Sequence, residues 1–487
     1  MSDSQHTWPH EVLVTLCKYV DCMLLLIIKA IPILSTVLRT HSSFSTQVLK
    51  HLEVIPTTLQ RYKIEAITHN GAIDQFLHGV MRQYGHHVGA SGGYNQHASY
   101  PLPNLANNIL PMFTDRWATG PGQYTPEMYS LLKPAFKLAS RLLMEKYPLL
   151  WFCHLTFGER RSDRSGTYIV STHYSTSADA IARVRHNICA VGEQVTFMFH
   201  PPGYPADAAM GITGNSKHNW PFSKEFRNHW PPSAHHTSRK GYARPLIVLN
   251  KEFRAYFLQH VASSSQDEHY RVLLLLAITI VHEFVHAFEF WLTPESNEPR
   301  WSKSDKDAEL GWSWEATCIG YGLHHMMILG QPLMRNRYLY QFKVLEYNSA
   351  SERERVLGQL GGSHRTDYAF TRADASGCIA NPPILGANDL PDSNLLFEDE
   401  MNVASFVAAA QVVPMSWVVN WFLEEEWQRR AEIWCHRNMY VRPSLGNAFM
   451  LLYERSGNRT STLRPLYSAF PADKDILDRR ARGDYSR

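Results

Sequence analysis

The sequence predicts an α+β protein, and three observations carry that expectation. Apolar runs of strand length cluster around the middle of the chain, near 151–157, 167–172, 194–200 and 244–250. Helical spacing of apolar residues flanks them, at about 126–146 before and at 267–292, 308–329, 401–412 and 415–437 after. The chain is 487 residues long, 44% hydrophobic and 19% charged, which is enough apolar surface for a sizeable core and excludes wholesale disorder.

At roughly 150 residues per domain the length allows about three domains. The expected division is 1–124, helical with a loop or linker; 125–345, the core; and 346–487, mainly helical with a polar tail. Residues 12–38 are mostly apolar, but Lys18, Asp21, Lys29 and Pro32 interrupt them, and the cleanest run, Met23 to Ile28, is too short to span a bilayer. A packed or interfacial helix is the expectation there; an anchor or uncleaved signal is the alternative. Helices are expected over 45–85. Residues 86–124, rich in Gly, His, Asn and Pro, read as loop.

From 126 to 146, Leu131, Leu132, Phe136, Leu138, Leu142 and Leu143 form an apolar stripe. Strands follow at 151–157 and 167–172, joined by a polar turn containing Gly166. A short helix at 177–184 comes next, then a strand at 194–200. A Pro/His-rich loop covers 201–243 and precedes the strand at 244–250. Residues 351–396, rich in Gly, Asp and Pro, read as loop.

Charge narrows the function. With 48 basic against 45 acidic residues the net charge is +3, and no dense Lys/Arg cluster offers a nucleic-acid surface. The seven cysteines are scattered, with no C-x-x-C pair, so neither a disulfide framework nor a Cys-rich zinc module is indicated. A soluble, cytoplasmic protein without membrane association is the expectation.

The informative motif is His282-Glu283-Phe284-Val285-His286, within the apolar stretch VLLLLAITIVHEFVHAFEFW. Helix-start residues precede it, Ser263 to Ser265 with Asp267 and Glu268. On a helix, positions i and i+4 share a face, so both imidazoles can reach one metal ion. Glu283 stands one step round, where its carboxylate can meet a metal-bound water. Zinc lowers the pKa of such a water to about 7, and a carboxylate can take its proton during attack on a carbonyl. Polar groups in so apolar a helix are costly unless satisfied, which a metal would do. Histidines merely hydrogen-bonded in the core are the plain alternative.

A catalytic zinc takes three protein ligands. The segment Gly311-Trp312-Ser313-Trp314-Glu315-Ala316, with Gly322 further on, resembles the second metal-binding helix of thermolysin-like metallopeptidases, the gluzincins. The resemblance covers about residues 271–322. It implies a zincin-like fold: an N-terminal mixed sheet, an active-site helix and a mainly helical remainder. It also implies one catalytic zinc held by His282, His286 and Glu315, with Glu283 as general base, and peptide-bond hydrolysis. In that architecture the last strand of the sheet, here 244–250, lies along the cleft.

Glu315 follows His286 by 29 residues and Glu309 by 23, so Glu309 is the rival third ligand. Glu309 is expected in the first turn of its helix and exposed. The family commonly carries an Asp one turn after the glutamate to orient a zinc histidine; that position is Ile319 here, so another residue must do it.

Glu289 shares a face with His286 and is expected beside the site or in solvent. Glu283 and His286 also form the E-x-x-H unit of di-iron bundles, but no second such pair exists. The doublets His86/His87, His235/His236 and His324/His325 are expected to be exposed rather than ligating, and Glu424–Glu426 to form a solvated helix face. His324, Tyr321 and Tyr368 are candidates to stabilise an oxyanion. Asn458-Arg459-Thr460 is a glycosylation sequon, meaningful only in a secreted chain. The expected substrate is a peptide or a small amide. Hydrolysis of a small-molecule amide or ester, and a catalytically degenerate scaffold, stay open as alternatives.

Overall fold

The computed structural model describes residues 77–79, 99–118, 122–201, 210–214, 244–293, 297–305, 308–320, 322–325, 338–361, 368–372, 385–386, 405–441, 443, 445, 450–456 and 462–471. All belong to the unit Glu65–Arg487. The expected helix at 12–38, most of that over 45–85, and most of the loops 86–124 and 201–243 lie outside the described residues.

Helix α1, Met128–Met144, follows the predicted stripe and buries Leu132, Phe136, Leu142 and Leu143. Ahead of it, Leu105, Phe113 and Trp117 belong to the same core, so the expected boundary at 124/125 divides residues that pack together. Helix α2, Lys146–Phe157, corrects the strand expected at 151–157. From Tyr147 through Leu155 every residue but the half-buried Leu150 is buried, so no polar face marks a 3.6-residue period and the run reads equally well as a strand.

Strands β1, Glu159–Asp163, and β2, Gly166–Val170, form a hairpin in which Asp163 faces Gly166 across a two-residue turn. Gly166 sits at φ +115°, a conformation open to glycine. Helix α3, Ala178–Gly192, begins on Ser177, whose side chain accepts from Ala180 N, and runs two turns beyond its expected end.

A small sheet follows: β3, Thr196–Phe199; β4, Gly211–Gly214; and β5, Leu246–Leu249. Its order is β3-β5-β4, with β5 parallel to β3 and antiparallel to β4. The predicted strand at 244–250 is therefore central, with Leu246–Leu249 fully buried, and β4 is an outer strand. This corrects the expectation that 244–250 lines the cleft; β4 is only four residues, with glycine at both ends and little strand signature.

Helix α4, Gln266–Leu292, is the centre of the core and packs against α1, α3, β4 and β5. Asp267 and Glu268 in its first turn complement the helix dipole. Among the described residues it is the one helix long and apolar enough to cross a membrane, and 89% of that stretch is buried inside the protein. Helix α5, Leu310–Cys318, is shorter than the expected 308–329. It ends where Ile319 and Gly320 both donate to Glu315 O, with Gly320 at φ +120°.

The remainder is a largely antiparallel sheet with helices. Its strands are β6, Leu323–His325; β7, Leu339–Glu346; β8, Tyr368–Arg372; β9, Leu385–Gly386; β10, Ser405–Val412; β11, Met450–Ser456; and β12, Thr462–Pro471. They run β6-β7-β10-β11-β12-β8, with β9 on β12. Helices α6, Ala350–Gly361; α7, Met415–Asn420; and α8, Glu424–Arg437, accompany them.

Several expectations are corrected here. The helix expected at 401–412 is β10, and the loop expected at 351–396 contains α6, β8 and β9. The helix expected at 415–437 is broken at Trp421–Leu423. Among the described residues of 346–487, strands are as prominent as helices, and the sheet crosses the expected boundary at 345/346 through β7.

Candidate metal centre

Two helices and the loop between them assemble the site. From α4, His282 and His286 stand one turn apart with ring centroids 5.2 Å from each other. From the start of α5, Glu309 brings its Oε1 to 2.7 Å from His286 Nε2 and 3.4 Å from His282 Nε2. One ligand atom each from His282, His286 and Glu309 lie within 4.8 Å of one another.

The outer nitrogens are both engaged. His282 Nδ1 donates to Glu315 Oε1 at 2.7 Å, and His286 Nδ1 donates to Glu298 Oε1 at 2.5 Å. Glu315 Oε2 also accepts from Leu323 N, which ties the first residue of β6 to the same carboxylate. An imidazole whose Nδ1 carries the proton presents a lone pair at Nε2, the form a metal needs.

The expected third donor, Glu315, therefore does not join the cluster; Glu309 does. The physical reason lies at the helix start. Glu309 precedes the first residue of α5 and is its N-cap, with Oε2 accepting from Trp312 N at 2.5 Å. One oxygen satisfies the helix end while the other is free to face the imidazoles. Glu309 is neither in the first turn nor exposed in the sense expected, its side chain being 24% accessible.

Glycines make the close approach possible. A Cβ on Gly311 would fall 2.4 Å from His282 Nε2, so the backbone of α5 lies flat on that ring. A Cβ on Gly211 would fall 2.5 Å from Glu283 Cγ, which puts β4 against the carboxylate of the motif. Thr213, two residues along β4, has its hydroxyl 2.7 Å from Glu283 Oε2 and 2.9 Å from the Glu283 carbonyl, so one proton is shared between them.

Burial and charge act together. Burial pushes the Glu283 carboxyl above the ordinary carboxylate range, against the pull of His282, His286 and the Thr213 hydroxyl. Burial would lower the imidazoles, but Glu309 and Glu315 more than reverse this at His282, and Glu298 and Glu309 at His286; both are held well above the usual histidine value. Burial would raise Glu309, and the two imidazoles hold it well below the usual range instead. Four carboxylates gathered round two imidazoles create a demand for positive charge, which protons or a divalent cation can meet.

The donor set fits zinc. Two imidazole nitrogens and a carboxylate oxygen are the ligands of many hydrolytic zinc sites. Four-coordinate zinc with bonds near 2.1 Å separates neighbouring ligand atoms by about 3.4 Å; Glu309 Oε1 stands 3.4 Å from His282 Nε2, and its 2.7 Å to His286 Nε2 is a hydrogen-bond distance.

The other candidates lie elsewhere. Glu289 is 1% exposed and makes two bonds of 2.9 Å to Arg160 of β1, so it belongs neither to the site nor to solvent. His324 stacks on Trp312, which stands edge-on to His282. Tyr321, His86/His87 and His235/His236 lie outside the described residues, and of Tyr368 and His325 only the backbone is described. Sequence reasoning missed Glu298 and Thr213. Demanding a carboxylate for each imidazole would have pointed to Glu298, 12 residues past His286, whereas nothing in the sequence marked Thr213.

No protein-family model, curated protein or solved structure matches this chain.

Proposed function

We propose that this protein is a zinc-dependent hydrolase, a metallopeptidase of gluzincin type with a zincin-like arrangement of sheet and active-site helix. The observation that carries the reading is the division of labour among ring nitrogens: both Nδ1 atoms are bound to carboxylates and both Nε2 atoms face Glu309 Oε1. His282, His286 and Glu309 would hold the ion. When bound, zinc supplies Lewis acidity that lowers the pKa of a bound water.

The chain's own groups supply the rest. Glu283 is 5% exposed, and Thr213 engages its Oε2, which leaves Oε1 to accept a proton from the attacking water and return it to the leaving amine. Burial raises its carboxyl above the ordinary range, the direction a group that both takes and returns a proton needs. Strand β4 supports a peptide substrate: it is an outer strand beside Glu283, and no described strand pairs with its other side. An extended peptide can add to such an edge through main-chain hydrogen bonds.

The test is metal content and turnover together. Purified protein should contain close to one zinc per chain and cleave members of a mixed peptide library, and chelation should abolish cleavage. Protein that takes up no zinc from solution sinks the metal assignment; protein that holds zinc but cleaves no peptide sinks the peptidase assignment.

A further inference from the structure

The loop from α4 to α5 touches His286 through Glu298, and Arg300, Trp301 and Asp305 of the same loop are fastened elsewhere. Arg300 N donates to Thr167 O at 2.8 Å and Arg300 O accepts from Ile169 N at 3.1 Å, so the segment is bridged to β2. The Arg300 guanidinium donates to Asp163 Oδ1 at 2.6 Å and to the carbonyls of Lys303 and Asp305 at 3.2 Å each. Trp301 lies parallel to Trp151 with centroids 6.1 Å apart, and its carbonyl accepts from His154 Nε2 at 2.8 Å. At the far end Asp305 Oδ2 accepts from Ser313 of α5 at 2.9 Å. The hairpin itself is tied to α4 by the Arg160–Glu289 pair, three residues beyond His286.

We infer that Arg300 is a positioning residue for His286, acting through Glu298: the Asp163–Arg300 pair and the bridge to β2 fix the point from which Glu298 reaches Nδ1. The inference rests on the zinc reading above. Only Pro299 separates Glu298 from Arg300, and its ring fixes φ, so little slack exists between the anchor and the carboxylate. A charge-assisted bond of 2.5 Å tolerates little drift of either partner. Without the anchor, Glu298 leaves Nδ1 without its acceptor and the imidazole loses the contact that sets its tautomer and rotation. The role is remote from any reacting atom: Arg300 is 5% exposed and pairs with a hairpin residue, not with the cluster.

The experiment compares zinc affinity, by chelator competition, in wild type, Arg300→Ala, Glu298→Ala and the double variant. The cobalt(II)-substituted absorption spectrum serves as a second readout of ligand geometry. Glu298→Ala should weaken zinc about 10–100-fold, the usual cost of losing such a partner. Arg300→Ala should weaken it about tenfold and shift the cobalt spectrum in the same sense. The double variant should be no weaker than Glu298→Ala, because both changes remove one contact. Arg300→Lys, which keeps the charge opposite Asp163, should recover most of the affinity. If Arg300→Ala fails to fold, Asp163→Asn gives the same comparison at constant volume. Unchanged affinity in the Arg300 and Asp163 variants, or losses that simply add in the double variant, overturns the inference alone. Wild type that binds no zinc overturns the zinc reading and takes this inference with it.

Discussion

Glu309 faces His286 with one carboxylate oxygen, 2.7 Å from Nε2, while its other oxygen caps helix α5 at Trp312 N. The start of α5 and the candidate metal centre thus share one side chain. Glu315, six residues further along α5, instead holds the far side of His282.

This arrangement separates two glutamates that the sequence left as rivals. Glu309→Ala should remove a ligand and lose zinc and turnover together. Glu315→Ala should retain the metal with affinity weakened about 10–100-fold, as for other residues that orient a ligating histidine. Elemental analysis of both variants after dialysis decides it; zinc lost fully from Glu315→Ala and kept by Glu309→Ala would reverse the assignment.

Glu283→Gln keeps the shape of the side chain and removes its capacity to accept a proton. Zinc content should stay near wild type while kcat falls about 10²–10⁴-fold, the range of a general acid–base contribution. Thr213→Val should also keep zinc, with a smaller loss of about tenfold, because only the hydrogen bond that fixes Oε2 is removed. Near-normal turnover in Glu283→Gln would take that residue out of the mechanism.

The two close-packed glycines give a contrast with no change of charge. Gly311→Ala forces a methyl into the His282 ring and should lower zinc affinity. Gly211→Ala forces one into the Glu283 side chain and should lower kcat with zinc retained. Each should also lose about 1–3 kcal/mol of stability through overpacking. Thermal melts alongside metal content and kinetics would show whether the two effects part as expected.

The Arg160–Glu289 pair has a pH signature. Burial raises the Glu289 carboxyl, and Arg160 is the main group opposing that rise. Removing Arg160 should raise it further. A carboxyl whose folded pKa lies above its unfolded value stabilises the fold below the unfolded value, and that contribution is lost as pH climbs through the folded one. Arg160→Ala should therefore destabilise more at pH 7 than at pH 4.5, by about 2–4 kcal/mol at the higher value, reduced somewhat because Arg160 is 28% exposed. Denaturant melts at the two pH values would contradict this if the loss were equal or larger at low pH.

How much of this was legible beforehand depended on whether a residue's neighbours in sequence were also its neighbours in space. His282, Glu283 and His286 are set by one helix, and helix spacing alone brings them together. Strands β3 and β5 announced themselves as short runs of β-branched and aromatic residues bounded by polar ones. Strand β10, FVAAAQV after Ser405, reads as helix because alanine is the best helix former; its place between β7 and β11, buried on both faces, overrides that preference. The choice between Glu309 and Glu315 turned on where α5 begins: a start near 308 puts Glu309 inside the first turn, whereas the start at Leu310 makes it the N-cap. Glu298 and Thr213 come from a loop and an edge strand, and only tertiary structure brings them to the motif.

The burial of α4 has a kinetic consequence. Two of the three proposed ligands ride on a 27-residue helix enclosed by the core, and the third is the N-cap residue just ahead of a nine-residue helix. Amide protons along the middle of α4 should exchange with solvent only on global unfolding, while the start of α5 opens in smaller, more frequent excursions. Release of a bound ion would then begin at Glu309, and its rate would follow the fraying of one helix end rather than the stability of the whole fold.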